Sequence, residues 1–127
     1  MKKLPQFNRV RTGIRAQNLY SQMKFKTGLS INVLARYGLC LSLSDRSIPN
    51  PQEYDEKGME LLPSVLFGEH EKMFHAVFLK RLQNDKLDPE LYLQEMMRAH
   101  LNRGAGLLFP RISELSDFQD NIHVKVK

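Results

Sequence analysis

Cysteine occurs once, at Cys40, which excludes an internal disulfide and makes a reducing compartment the default. No apolar run approaches the ~20 residues that a membrane-spanning helix requires. The opening "MKKLPQFNRVR" has two lysines but no apolar segment behind them. It does not read as a secretory signal, and a cytoplasmic location is expected. A phosphate-binding glycine loop, a zinc-type cysteine pair and a nucleophile elbow are all missing. His70 and His75 are five residues apart and fall on different helix faces, which makes them poor partners for one metal. Glu69, His70 and Glu71 read as surface residues that complement a helix dipole. Neither a metal nor a cofactor is expected, and no catalytic residue is assigned. His100, Met96 and Met97 read as buried packing residues. Cys40, between Leu39 and Leu41 with no neighbouring base, reads as a small buried hydrophobe.

Acid is scarce in the first third of the chain. Residues 1–46 hold nine basic residues and one acid, Asp45, for a net +8. The remainder holds ten basic and thirteen acidic residues, for a net −3, and the whole chain of 127 residues carries +5. A hydrophobic content of 42% in a chain of this length suits one modest domain with its own core. A basic front with a mildly acidic back points to a polyanion contact at one end.

The patterning is mainly helical. "FNRVRTGI" alternates, and an extended strand there would put Phe7, Arg9 and Arg11 on one side, with Asn8 and Val10 on the other. Such a strand is short enough to need pairing with another chain. "IRAQNLYSQMKFKTG" reads as a helix with Ile14, Leu19 and Met23 inward and Ala16 and Tyr20 beside them. Lys24 and Lys26 complement its C-terminal dipole, and Gly28 is suited to the left-handed residue past its end. Ser30 caps a second helix over about residues 31–43, which is apolar nearly all round except at Asn32 and Arg36. In a chain this small, full coverage of such a helix is expected to come from a second copy. Residues 47–63 read as a proline-rich acidic loop that began at Asp45. Residues 64–127 then supply two amphipathic helices. The first spans "SVLFGEHEKMFHAVFLKRLQND" and buries Phe67, Phe74, Val77, Phe78 and Leu82. The second opens with Asp88 as cap and Pro89 in its first turn, and buries Leu93, Met96, Met97, His100, Leu101 and Leu108. Gly104 and Gly106 weaken it by ~1 kcal/mol each unless close packing requires them. The tail from Ser113 reads as a helical turn followed by fraying.

The basic front suggests a nucleic-acid surface. Arg9, Arg11 and Arg15 precede or open the first helix, and Lys24 and Lys26 close it. A hairpin around Gly28 would let Lys24, Lys26, Ser30, Asn32 and Arg36 converge near the free N–H groups of the second helix, a set suited to phosphate. Aromatics nearby are few, which disfavours base stacking on single strands. Over residues 7–43 the order of short strand, helix, Thr-Gly-x-Ser turn and apolar helix resembles ribbon-helix-helix DNA binders. That resemblance implies an operator-reading repressor as an alternative function. A sulfur carrier acting through Cys40 is another, and an assembly adaptor docking through the acidic loop is a third.

A second resemblance covers most of the chain. "NRVRT", "MKFKTGLSINVLARYGLCLSL", "LFGEHEKMF" and "AHLNRGAGLL" together resemble the DndE family of bacterial DNA phosphorothioation. The resemblance implies one mainly helical DndE-like domain over residues 1–127, a tetramer, and preference for nicked duplex DNA without catalytic activity of its own. It also implies sulfur-transferring and ATPase components as partners. It assigns Lys24 and Lys26 to DNA, whereas Arg9, Arg11, Arg15, Ser30, Asn32 and Arg36 follow from charge and geometry.

Overall fold

In the computed structural model the backbone is described for residues 5–126 and the side chains for residues 5–115; Lys2 and Lys3 of the basic front lie outside the described residues. The order is β1 (Val10–Arg11), α1 (Ile14–Thr27), α2 (Ile31–Ser44), a 3-10 turn at Pro51–Glu53 and β2 (Glu60–Leu61). Then come α3 (Pro63–Phe67), a second 3-10 turn at Gly68–His70, α4 (Glu71–Asn84) and α5 (Pro89–Val126). The result is one small, mainly helical domain with a two-stranded N-terminal sheet.

The β1 strand pairs within its own chain. It lies antiparallel to β2, with Val10 opposite Leu61 and Arg11 opposite Glu60. The expected alternation also fails at Phe7. That ring is buried against Phe67, His75 and Phe78, while Arg9 and Arg11 face solvent. The aromatic cluster captures the chain before the strand begins. Residues 47–63 are correspondingly not a free linker: they contain a 3-10 turn and β2. The Thr12 N–H donates to the Met59 carbonyl at 2.9 Å, and Arg98 donates to the Tyr54 and Pro51 carbonyls at 3.0 Å each.

The chain provides much of the cover for α2. Leu34, Ala35, Gly38 and Leu39 are buried, chiefly against α5, whereas Tyr37 and Cys40 are exposed. A second copy is therefore not needed to shield most of this helix, and Cys40 is an outward residue, not a core one. The reason is the length of α5 and its close approach at Gly104. A Cβ built there would strike the backbone of Gly38, so only two glycines permit this crossing. Gly106 has no such neighbour. The side of α5 at Leu93, Met96, Met97, His100, Leu101 and Leu108 is buried as the spacing predicts. The helix continues through Pro110 to Val126 instead of fraying after Ser113. The preceding segment breaks where one helix was expected. Gly68, at φ 54°, separates α3 from α4, and Val77 within α4 is exposed, not buried as expected.

Two arginines close the C-terminal end of α2, whose own last turn has no basic residue. Arg81 donates to the Leu43 carbonyl at 2.8 Å and the Ser47 carbonyl at 2.7 Å, and its Nε lies 2.8 Å from Asp85. Arg103 donates to the Ser42 carbonyl at 2.7 Å and the Ser42 hydroxyl at 2.8 Å. The cations thereby meet the negative end of the helix dipole.

His100 completes this polar knot. Its Nδ1 is 2.8 Å from the Ser42 hydroxyl oxygen, which also accepts from Arg103. Burial first, and then the charges of Arg81 and Arg103, push the imidazole pKa down to about 3. The folded state holds a neutral ring, while the unfolded chain takes up a proton below the ordinary value near 6.5. Stability from this residue is therefore full above pH 6.5 and falls as pH drops toward 3. Urea midpoints measured from pH 7 to pH 5 should show a loss on the order of 2 kcal/mol. His100→Gln should flatten that limb, and an equally steep fall in the variant would place its origin elsewhere.

Candidate nucleic-acid interface

The exposed residues of α1 follow from its period. At 100° per residue, Ala16, Tyr20 and Met23 form the buried stripe. Ile14, Asn18, Ser21, Gln22 and Phe25 fall on the opposite, outer side, and all are exposed. Arg15 and Lys26 share one edge of that side, separated by about 16 Å along the axis, or about five base-pair steps of a duplex. Lys24 lies on the other edge. The outer side thus carries amides, a hydroxyl and cations, and the first acid in the chain is Asp45. Sequence reasoning missed Asn18, Ser21, Gln22 and Phe25, although helical spacing places them together.

Both ends of α1 are held rigidly. Its N-cap is Gly13, which has no side chain to offer, so distant groups satisfy the first amides. The Gly13 N–H donates to Asn102 Oδ1 at 2.8 Å and the Ile14 N–H to Asp55 Oδ1 at 3.0 Å. Amide bonds from Lys57 and Ile14 hold the Asp55 carboxyl below the usual carboxylate range. At the far end Gly28 adopts φ 75° and its N–H donates to the Lys24 carbonyl at 2.8 Å. The Thr27 hydroxyl donates to the Met23 carbonyl and accepts the Leu29 N–H, which locks the turn.

The eight basic and polar residues picked from sequence divide in this structure. Among the described residues, Arg15 and Lys24 have no hydrogen bond or ion pair through their side chains. Lys26 leans on α5, 3.4 Å from the Ser113 hydroxyl and 5.3 Å from the Phe109 ring centre. Arg9 sits 3.9 Å from Glu60 and Arg11 donates to the Gly58 carbonyl at 3.0 Å, both at the outer edge of the small sheet. Ser30 accepts the Val33 N–H at 3.3 Å as the cap of α2. Asn32 is half-buried. Arg36 does not join the strip: its Nη1 donates to the Leu66 carbonyl at 2.9 Å and braces α2 against α3. The cations gather at the two ends of α1, not in one band across the hairpin.

Two other concave surfaces flank this side. A cleft of about 400 Å³ between α1 and α5 has both signs of charge, with Arg15 and Arg103 against Glu53 and Asp55. A more apolar groove of about 480 Å³ runs between α2 and α5, lined by Tyr37, Cys40, Leu41, Leu108 and Ile112. Cys40 is exposed, but its neighbours partly desolvate the thiol and raise its pKa, which keeps it protonated and a weak nucleophile. Among the described residues no group of three or more histidine, cysteine or acidic side chains could hold a metal ion. None of the described helices is long and apolar enough to cross a membrane.

These features define a small helical protein with residues Asn8 and Gly13 tethered to α5 and an acid-free, cation-edged helix on its surface. The family model for the DNA sulphur modification protein DndE matches residues 9–116. The chain belongs to the DndE family, and its role lies in DNA sulphur modification as an accessory component among the other Dnd proteins. No curated protein matches the sequence. The fold is similar to the crystal structure of DndE from Escherichia coli B7A, a protein involved in DNA phosphorothioation modification. The TM-score is 0.64 at 21% identity, over 84% of this chain and 99% of that one. A DndE mutant involved in DNA phosphorothioation is similar to the same degree, with TM-score 0.64 and 20% identity over 84% of this chain and 99% of that one.

Proposed function

We propose that this chain is a non-catalytic, cytoplasmic DNA-binding subunit of phosphorothioate modification. It grips duplex DNA through the outer side of α1 and favours a duplex with a nicked strand. One observation carries the reading: among the described residues Arg15 and Lys24 stand exposed with no side-chain hydrogen bond or ion pair, in a front where the first acid is Asp45. By contrast, Arg81, Arg98 and Arg103 spend their guanidinium groups on internal carbonyls. The polar outer residues Asn18, Ser21 and Gln22 are of the types that contact sugar and phosphate.

Self-association, as a tetramer, fits the apolar groove between α2 and α5, where Tyr37 is 58% exposed. It would place several α1 surfaces on one particle, beside the sulfur-transferring and ATPase components as partners. The ribbon-helix-helix alternative loses support, because β1 finds its partner strand in the same chain. The carrier alternative loses support from the protonated state of the Cys40 thiol.

Lys24→Ala with Lys26→Ala should keep the fold and weaken DNA binding. In titrations over a range of salt, each lost phosphate contact should flatten the slope of log affinity against log salt by about 0.9. An unchanged slope would remove these lysines from the interface. Equal affinity of the wild-type chain for nicked and intact duplexes of one sequence would remove the preference for a nick.

A further inference from the structure

We propose that Phe25 is a wedge that stacks into a base step of the DNA gripped by the lysines on either side of it; this rests on duplex binding by α1 as argued above. Phe25 is 91% exposed, whereas Phe7, Phe67, Phe74 and Phe78 are all buried. It projects from the side of α1 opposite the buried Tyr20 and Met23. Lys24 and Lys26 leave the helix at about 100° to each side of it, with the Lys26 ammonium leaning toward α5, so cations stand on both edges of this face. The base of this prong is ordered, not loose. Met23 beneath it is wholly buried, and the Thr27 and Gly28 hydrogen bonds close the turn just beyond. An apolar ring held out in water on a rigid, doubly cationic mount matches a polyanion that also offers π-faces. It does not match a second copy of the same surface, whose lysines would repel these.

Apolar side chains of this kind enter a duplex by partly unstacking one step. A strand break lowers the work of opening that step, so the wedge supplies a physical reason for preferring a nicked duplex. The short supply of aromatics in the basic front is thus no obstacle, because one well-presented ring is enough for one step.

The test uses the full chain, a duplex with a single nick carrying 2-aminopurine beside the break, and an intact duplex of the same sequence. Wild-type protein should brighten the 2-aminopurine on binding. Phe25→Ala should bind the nicked duplex about ten-fold more weakly, with an unchanged salt slope and no brightening. Phe25→Trp should restore both. Wild-type affinity and brightening in Phe25→Ala would overturn the wedge. A lower particle mass for Phe25→Ala in solution would also overturn it and give the ring to a contact between copies. If the lysine double variant loses binding while Phe25→Ala retains it, the duplex reading stands and the wedge alone fails. If the wild-type chain binds neither duplex, both fall.

Discussion

Gly104→Val should abolish cooperative folding at 25 °C, and Gly104→Ala should cost about 1–3 kcal/mol. A Cβ at this position meets the Gly38 carbonyl and Cα, which are backbone atoms that cannot rotate away. The helices must part instead. α2 against α5 is the main contact of the fold, so the separation propagates into Leu34, Leu39, Leu101 and Ala105, all wholly buried. It also pulls the Leu101 carbonyl from the Tyr20 hydroxyl, which donates to it at 2.9 Å. Since a domain of this size has a stability of about 5–15 kcal/mol, the larger variant is expected to exhaust the margin. Gly106→Ala is the matched control. Position 106 has open space around a Cβ, and the change should stabilise the helix by up to about 1 kcal/mol. Urea unfolding followed by circular dichroism separates the two, and a Gly104→Val protein as stable as wild type would refute the close crossing.

Arg81→Met should destabilise the protein by about 3–5 kcal/mol, lowering the melting temperature by about 10 °C or more. Arg81 and Asp85 have side chains only 10% and 9% exposed, so removing the cation strands a carboxylate away from water. It also removes the Arg81 donor from the Leu43 carbonyl at the end of α2, and leaves the Ser47 carbonyl with Arg103 alone. Arg81→Lys should recover little, because one ammonium cannot reach the Asp85 carboxylate and the Leu43, Arg46 and Ser47 carbonyls together in the way a guanidinium fork does. Arg81→Met with Asp85→Leu should recover part of the loss, because the buried charge is gone. Thermal melts of the four proteins test this. Equal stability of Arg81→Met and wild type would show that the knot is ornamental.

Much of the architecture is written in local signals. Gly28 and Ser30 mark the α1–α2 turn, and Asp88 and Pro89 mark the start of α5, because caps act over three or four residues. What could not be read depended on partners far along the chain. The strand at Val10 gave no hint of Leu61, so pairing with a second chain was an open reading. The apolar circumference of α2 did not reveal that α5 would cover most of it, since only the Gly38–Gly104 crossing permits the approach. Arg81 looks like a break in an apolar stripe until the end of α2 is placed beside it. Arg36 has the spacing for the basic strip, but the carbonyl of Leu66 claims it. Phe25 is the reverse case: its position opposite Ala16, Tyr20 and Met23 was legible, yet composition alone hid it among the seven phenylalanines.

The anchors of the N-terminal segment reach far ahead in the chain. Asn8 is bonded to Gln94 and Gly13 to Asn102, across 86 and 89 residues. During synthesis on the ribosome these tethers can form only after α5 has emerged as far as Asn102. A nascent protein therefore exposes the cationic α1 before α5 arrives to fix its pose. A polypeptide that stops short of Asn102 cannot hold α1 in its finished pose, which makes the placement of that surface depend on the synthesis of α5.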